Sequence, residues 1–309
     1  MILVTGGSGF IGLHLTRALL ESGADVLSTR YRANRERIAP EHGGRLTEEP
    51  LDVADLAAVQ AIFARYPIER VIHLAAPGMA ALDADGEYRA NMLALLNILE
   101  SSRAAGVQRV IVASGVAAYA GISNGPYTED MPLPVKSHGT TPAFKKASET
   151  LGLAYAQRTG LDVVYARVAF IYGPLYHSMA NAPSKLVHAA VRGGADAPPV
   201  AFGVQETFDF CYVTDCSAGL ALLDAAPALQ HRIYNIGSGC ATTHRELADV
   251  TARVVPGSAV RATFPQTEHA RTSPYMSIAR IENELGYRPA FSIAAGVRAY
   301  AEWLRSHDR

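Results

Sequence analysis

Through its first half the chain alternates short apolar runs with longer stretches whose apolar residues recur at helical spacing. Runs at 2–5, 25–29, 71–75, 110–114 and 163–168 predict buried strands, and 10–21, 54–66, 88–105 and 142–158 predict the amphipathic helices between them. In the first helix, Ile11, Leu15, Ala18 and Leu19 fall on one face. Strands that are apolar throughout and joined by helices form parallel βαβ units, so the fold class is α/β with a doubly wound parallel sheet. After Gly173-Pro174 the pattern loosens into short runs punctuated by Gly193-Gly194 and Pro198-Pro199, with a last helix over 293–304. The main domain is therefore placed at 1–171 and a smaller C-terminal lobe at 172–309, with Ile233–Ile236 expected to return to the main sheet.

Composition narrows what such a protein can be. Of 309 residues, 49% are hydrophobic and 18% charged, enough to bury a sizeable core and too apolar for a disordered chain. Lys plus Arg number 28 and Asp plus Glu 29, a net charge of −1, so neither nucleic acid nor an anionic membrane is expected as a partner. No window holds the roughly 20 uninterrupted apolar residues of a membrane span, and the first residues read as a strand rather than a signal peptide. Cys211, Cys216 and Cys240 have neither zinc-ligand spacing nor a paired framework. A reducing, cytoplasmic setting without a metal site is expected.

The strongest local pattern is Thr5-Gly6-Gly7-Ser8-Gly9-Phe10-Ile11-Gly12, which closes the first strand and opens the first helix. Gly6 permits a tight turn, Gly9 lets backbone approach a pyrophosphate, and Gly12 lets helix and strand pack closely. Backbone amides at the helix start, including those of Phe10 and Ile11, then face the anion. A Rossmann-type dinucleotide-binding domain follows from this context.

From here the sequence resembles the extended short-chain dehydrogenase/reductases, the NAD-dependent epimerase/dehydratase family, nearly end to end. Asp52 and Val53 in Leu51-Asp52-Val53-Ala54-Asp55 are similar to its adenine-contacting segment, and Leu74, Ala75 and Ala76 to the strand end that lines the cofactor. Asn91 begins a helix motif of the family. The stretch 167–174 resembles Arg-Pro-x-x-x-Tyr-Gly-Pro, and 234–239 and 284–289 are also typical. Bland readings stand beside these: Asp52 as a helix cap, His73 as a satisfied core histidine, Asn91 and Asn97 as partners of backbone groups.

The resemblance also exposes departures. NAD-preferring relatives end the second strand with an acidic residue, where this chain has Arg30, with Arg32 and Arg35 nearby. A guanidinium pairs with a 2′-phosphate, so NADP is expected, with NAD as the alternative. The family's serine or threonine hydroxyl, after Ser114, is replaced by Gly115, and the tyrosine of YxxxK by Thr141, while Lys145 keeps the lysine and Glu149 the later glutamate. In the family the phenol takes the substrate hydroxyl proton as hydride leaves for the cofactor. Here the resemblance implies that Lys145 still reaches the nicotinamide ribose and that Ser114 lines the cofactor; Lys145 is also the catalytic candidate that remains, Thr141 a relay, and Tyr119, Tyr127, His138 and His177 candidates for the missing phenol.

On the substrate side, Phe208 stands where nucleotide-sugar enzymes place an arginine, and Phe170 where they often place asparagine. With His177 these suggest a small or apolar carbonyl or alcohol rather than a nucleotide sugar, unless Arg192 or Arg271 contacts a phosphate from a shifted position. The leading expectation is an atypical NAD(P)-dependent oxidoreductase or epimerase/dehydratase-like enzyme. The alternatives are a non-catalytic NADP sensor, a nucleotide-sugar epimerase with a rearranged site, and a non-redox lyase or isomerase. The resemblance further implies a homodimer paired through the helices at 88–105 and 142–158.

Overall fold

The computed structural model describes residues 1–31, 44–76, 82–137, 139–176, 178–193, 199–202, 207–255, 260–264 and 274–307. In chain order the first elements are β1 (Ile2–Thr5), α1 (Phe10–Glu21), β2 (Val26–Arg30), β3 (Leu46–Pro50), α2 (Leu56–Arg65), β4 (Arg70–His73) and α3 (Ala84–Tyr88). A π-helical turn, Arg89–Leu93, leads into α4 (Ala94–Ala104), then β5 (Arg109–Gly115), a 3₁₀ turn at Val116–Tyr119, α5 (Thr140–Thr159) and β6 (Val163–Val168). Beyond these lie β7 (Phe170–Tyr172), α6 (Ala182–Arg192), β8 (Val200–Ala201), β9 (Thr207–Phe208), β10 (Phe210–Tyr212) and α7 (Val213–Ala225). The chain closes with β11 (Ile233–Ile236), β12 (Thr242–Thr243), α8 (His244–Val254), β13 (Ala262–Thr263), α9 (Ala279–Leu285) and α10 (Ile293–Ser306).

The main sheet has seven strands in the order β11-β6-β5-β4-β1-β2-β3, the doubly wound Rossmann-type arrangement the apolar pattern predicts. β1 pairs in parallel with both β2 and β4, so chain order reverses on either side of it. In open α/β sheets that reversal, at the carboxyl ends of the strands, is where ligands bind. β3 escaped the sequence reading because Leu-Thr-Glu-Glu-Pro lacks an apolar run; as the outermost strand it needs little burial and takes its register from β2, with Val26 opposite Leu46 and Arg30 opposite Pro50.

Two compact units result. The first holds residues Met1–Gly121, Pro132–Arg167 and Ser217–Tyr234. Its core packs Leu3, Leu27, Val71 and Val110 of the strands with Val59 and Ile62 of α2 and Leu95, Ile98 and Leu99 of α4. The second holds Ile122–Met131, Val168–Cys216 and Asn235–Arg309, with a core of Leu186 and Val187 of α6, Leu247 and Val250 of α8, and Val297, Tyr300 and Leu304 of α10. Among the described residues no helix is long and apolar enough to cross a membrane.

Candidate functional site

The glycine loop is built by exclusion of side chains. Gly6 has φ +69°, and a Cβ there would lie 2.9 Å from the Ala75 backbone nitrogen. At Gly12 a Cβ would stand 2.2 Å from the Gly6 carbonyl oxygen, and at Gly7 2.2 Å from Ser28 Oγ. Gly9 differs: a Cβ would meet only the Gly6 carbonyl oxygen, at 3.1 Å. Its missing side chain therefore relieves little internal crowding and leaves backbone open at the start of α1. That helix has no side-chain cap at Gly9 and no acidic residue in its first turn, so its partial positive charge is uncompensated by side chains. A cofactor pyrophosphate fits this cradle. Gly7, which the motif reading passed over, is required by Ser28 on β2.

Other candidates gather around the same strand ends. Thr5 Oγ1 lies 2.7 Å from His73 Nδ1 and 3.4 Å from the Ala75 amide, tying the ends of β1 and β4 together beneath the loop. The half-buried Leu74 and Ala75 and the exposed Ala76 continue from there. Arg30 ends β2 and is half-buried. Asp52 is exposed and accepts from the Ala54 amide at 2.9 Å, while Asp55, not Asp52, caps α2 through the Ala57 and Ala58 amides. Asn97 Nδ2 holds the Val53 carbonyl at 3.1 Å, and Asn91 Nδ2 turns back to the Glu87 carbonyl at 2.7 Å within the π-helical turn.

His73 is a core histidine in its geometry. Burial, assisted by the charge of Lys145, pushes its pKa down to about 4. Because the unfolded chain takes up the proton near pH 6.5, the stabilisation is complete above that value. It is lost as pH falls toward 4 and amounts to about 3 kcal/mol. We expect His73→Asn, which keeps an acceptor near Nδ1, to flatten the unfolding free energy between pH 6.5 and 4 relative to wild type. Parallel slopes for the two proteins in urea titrations over that window would contradict this.

The polar centre lies where β5 ends against α5. Lys145, half-buried, donates from Nζ to the Ala113 carbonyl at 2.7 Å, and desolvation lowers its pKa while Glu149 opposes the shift. One turn further along α5, Glu149 accepts from Ser114 Oγ at 2.5 Å, from Arg167 Nε at 3.0 and 3.1 Å and from Arg167 Nη2 at 2.6 Å. The Arg167 guanidinium lies 4.6 Å over the ring of Tyr119, which is fully buried. A phenol in that position packs under the ion pair and presents no surface to a ligand. Thr141 is exposed on the first turn of α5, one turn before Lys145. Gly115 is buried with extended φ of −171°.

The adjacent Lys146 has a separate task. Lys146 Nζ donates to the carbonyls of Ala120 at 2.8 Å and Pro134 at 2.6 Å and to Ser137 Oγ at 3.0 Å, pinning the loop that precedes α5. No local pattern announces that role, because all three acceptors lie in a loop whose path is tertiary.

Within the second unit, Phe170 and Phe208 meet edge to face at 5.0 Å, and Phe208 stacks on His244 at 4.9 Å, beside the core that contains Phe210. Tyr127 is buried and donates to the Ile122 carbonyl at 3.0 Å. Arg192 is exposed at the end of α6. His138, His177, Arg32, Arg35 and Arg271 lie outside the described residues.

The family model for the NAD dependent epimerase/dehydratase family matches residues 2–237. The chain belongs to that family. Among curated relatives of this chain, a dTDP-glucose 4,6-dehydratase from an Actinoplanes strain is 28% identical over 327 residues, covering 99% of this chain and 98% of its own. Among solved structures, MoeE5 in complex with UDP-glucuronic acid and NAD is 29% identical with a TM-score of 0.83, covering 99% of each chain. DesIV, a dTDP-glucose 4,6-dehydratase from Streptomyces venezuelae with NAD bound, is 29% identical with a TM-score of 0.83 over 99% of this chain and 97% of its own. Family membership makes the chain an NAD(P)-dependent enzyme of oxidoreductase type.

These relatives correct two expectations. NADP was expected from Arg30, yet the solved relatives hold NAD. The physical reason is that a guanidinium can also donate to the neutral ribose hydroxyl oxygens, so a cation at the end of β2 does not by itself require the phosphate. Its charge is moreover felt by Glu49 on the adjacent strand, whose carboxyl is held below its usual range first by Tyr66 and then by Arg65 and Arg30. The second correction concerns the small, apolar substrate, since the named relatives act on or bind nucleotide sugars. Phe170 and Phe208 do not report pocket polarity: they pack on each other, and Phe208 on His244, against the second core. Their apolar character serves that packing.

Proposed function

We propose that this epimerase/dehydratase binds NAD and performs hydride chemistry on the sugar ring of a nucleoside diphosphate sugar, as an epimerase or a dehydratase. The observation that carries the reading is the match across 99% of the chain, both units included, to an enzyme named for dTDP-glucose and to a protein solved with UDP-glucuronic acid and NAD. NAD, when bound, supplies the hydride acceptor and donor. The backbone of Gly6 to Gly12 would hold its pyrophosphate, Arg30 would donate to the adenosine ribose, and the segments at Asp52-Val53 and Leu74 to Ala76 would line the nucleotide. Lys145 and Thr141, one helical turn apart on α5, would face the reacting hydroxyl. Exposed Leu93, Leu96 and Leu151 beside and along α4 and α5 support a homodimer that covers them.

Calorimetric titration with NAD, followed by dTDP-glucose and UDP-glucuronic acid, tests the reading. Saturable binding of NAD and of at least one sugar nucleotide, with transient reduced-cofactor absorbance on mixing, is the expected result. Absence of binding by NAD, or by both sugar nucleotides, would overturn it.

A further inference from the structure

The altered centre leaves few groups able to move a proton. Ser114 has one hydroxyl hydrogen, and it is directed to Glu149 at 2.5 Å. Gly115 has no side chain, and Tyr119 is sealed beneath Arg167. Thr141 holds its proton too tightly to act as a base. Lys145 is different: among the described residues its ammonium has a single hydrogen-bond acceptor, the Ala113 carbonyl, so two of its three N–H groups are left for a ligand. Lys145 is half-buried, so a ligand seated over it would meet those N–H groups with little competing water. Resting on the function proposed above, we propose that Lys145 Nζ itself exchanges the proton with the substrate hydroxyl, and that Glu149, held by Arg167 and Ser114, is the positioning residue that governs its charge.

In the oxidative direction the substrate O–H bond breaks and its proton forms a new N–H bond on the neutral Lys145 amine. The adjoining C–H bond breaks and its hydride goes to NAD, the oxidant, leaving a carbonyl. Reduction reverses both transfers. The neutral amine is accessible because burial lowers the pKa of Lys145, and Glu149 limits the shift. The Ala113 carbonyl fixes one N–H and so confines the lone pair to the two remaining staggered directions. The charged and titratable groups around Nζ are His73 from β4, Glu149 on its own helix and, behind Glu149, Arg167 from β6 with Tyr119 beneath it.

The chain has only four lysines, Lys136, Lys145, Lys146 and Lys185, so lysine 13Cε NMR gives four signals, assigned by Lys145→Met. In the wild-type protein the Lys145 signal is expected to titrate below the ordinary lysine range. Glu149→Gln removes the opposing charge and exposes that of Arg167, and should lower the midpoint by about one to three pH units. Arg167→Met leaves the Glu149 charge unopposed and should raise the midpoint, an independent test if Glu149→Gln does not fold, and the double variant Glu149→Gln with Arg167→Met, which restores neutrality, should return it toward wild type. Thr141→Val should leave the midpoint unchanged. An ordinary lysine midpoint in wild type, or a midpoint that neither folded variant moves as stated, overturns the proposal. NAD titration of the same samples separates the two failures: loss of NAD binding in wild type removes the function, whereas NAD binding with an unmoved midpoint removes only this inference.

Discussion

Lys145→Met is expected to lower turnover by about a hundred to ten-thousandfold, the range over which a positioned proton transfer accelerates a reaction. Methionine keeps the length and apolar stem but has no N–H for the Ala113 carbonyl and no lone pair able to accept a proton at neutral pH. Affinity for NAD should weaken by far less, because the glycine loop at Gly6 to Gly12 is untouched on β1 and α1. Thr141→Val should slow turnover less than Lys145→Met, since the exposed Thr141 hydroxyl is replaceable by water as a relay. Single-turnover rates on a sugar nucleotide, with NAD affinity measured in parallel, decide the matter. A Lys145→Met enzyme within threefold of wild type would remove Lys145 from the chemistry.

Glu149→Ala is expected to lower the unfolding free energy by about 3–5 kcal/mol. The substitution strands the Arg167 guanidinium in the interior, and an uncompensated buried charge is among the most destabilising changes a core can suffer. It also removes the acceptor of Ser114 Oγ. Replacing both partners, Glu149→Leu with Arg167→Met, should recover most of that loss, because well-packed apolar groups of similar volume are often neutral substitutes for a buried pair. Urea unfolding at pH 7 with unchanged m-values is the measurement. A single-variant loss below about 1 kcal/mol would mean that water reaches Arg167 when Glu149 is absent, contrary to the burial of both side chains.

The pair shows where sequence reading stops. Glu149 and Arg167 were each visible as parts of separate segments, one on the helix with Lys145 and one at the end of the strand over 163–168, but nothing local says that they meet. Their contact depends on α5 crossing the sheet so that its inner face lies over β5 and β6. The same holds for Ser114, whose proton goes to Glu149, and for Tyr119, whose phenol was a candidate until its ring was found beneath Arg167. Arg30 teaches a related lesson: a charged residue at a recognised position specifies a donor, not the ligand that the donor serves.

By itself the sequence determined the parallel strand-helix alternation, because apolar periodicity is set by burial of each element's own residues. It also determined the glycine loop, because the turn at Gly6 and the close approach at Gly12 depend on a missing Cβ that no other residue supplies. Polar β3 was hidden from it, since an edge strand owes its register to a neighbour rather than to its own pattern. Only the tertiary structure decided which hydroxyl protons are engaged, which phenol is sealed and which lysine is left with unfilled bonds. Hydrogen-bond satisfaction is a property of groups brought together from distant parts of the chain, and one-dimensional spacing does not encode it.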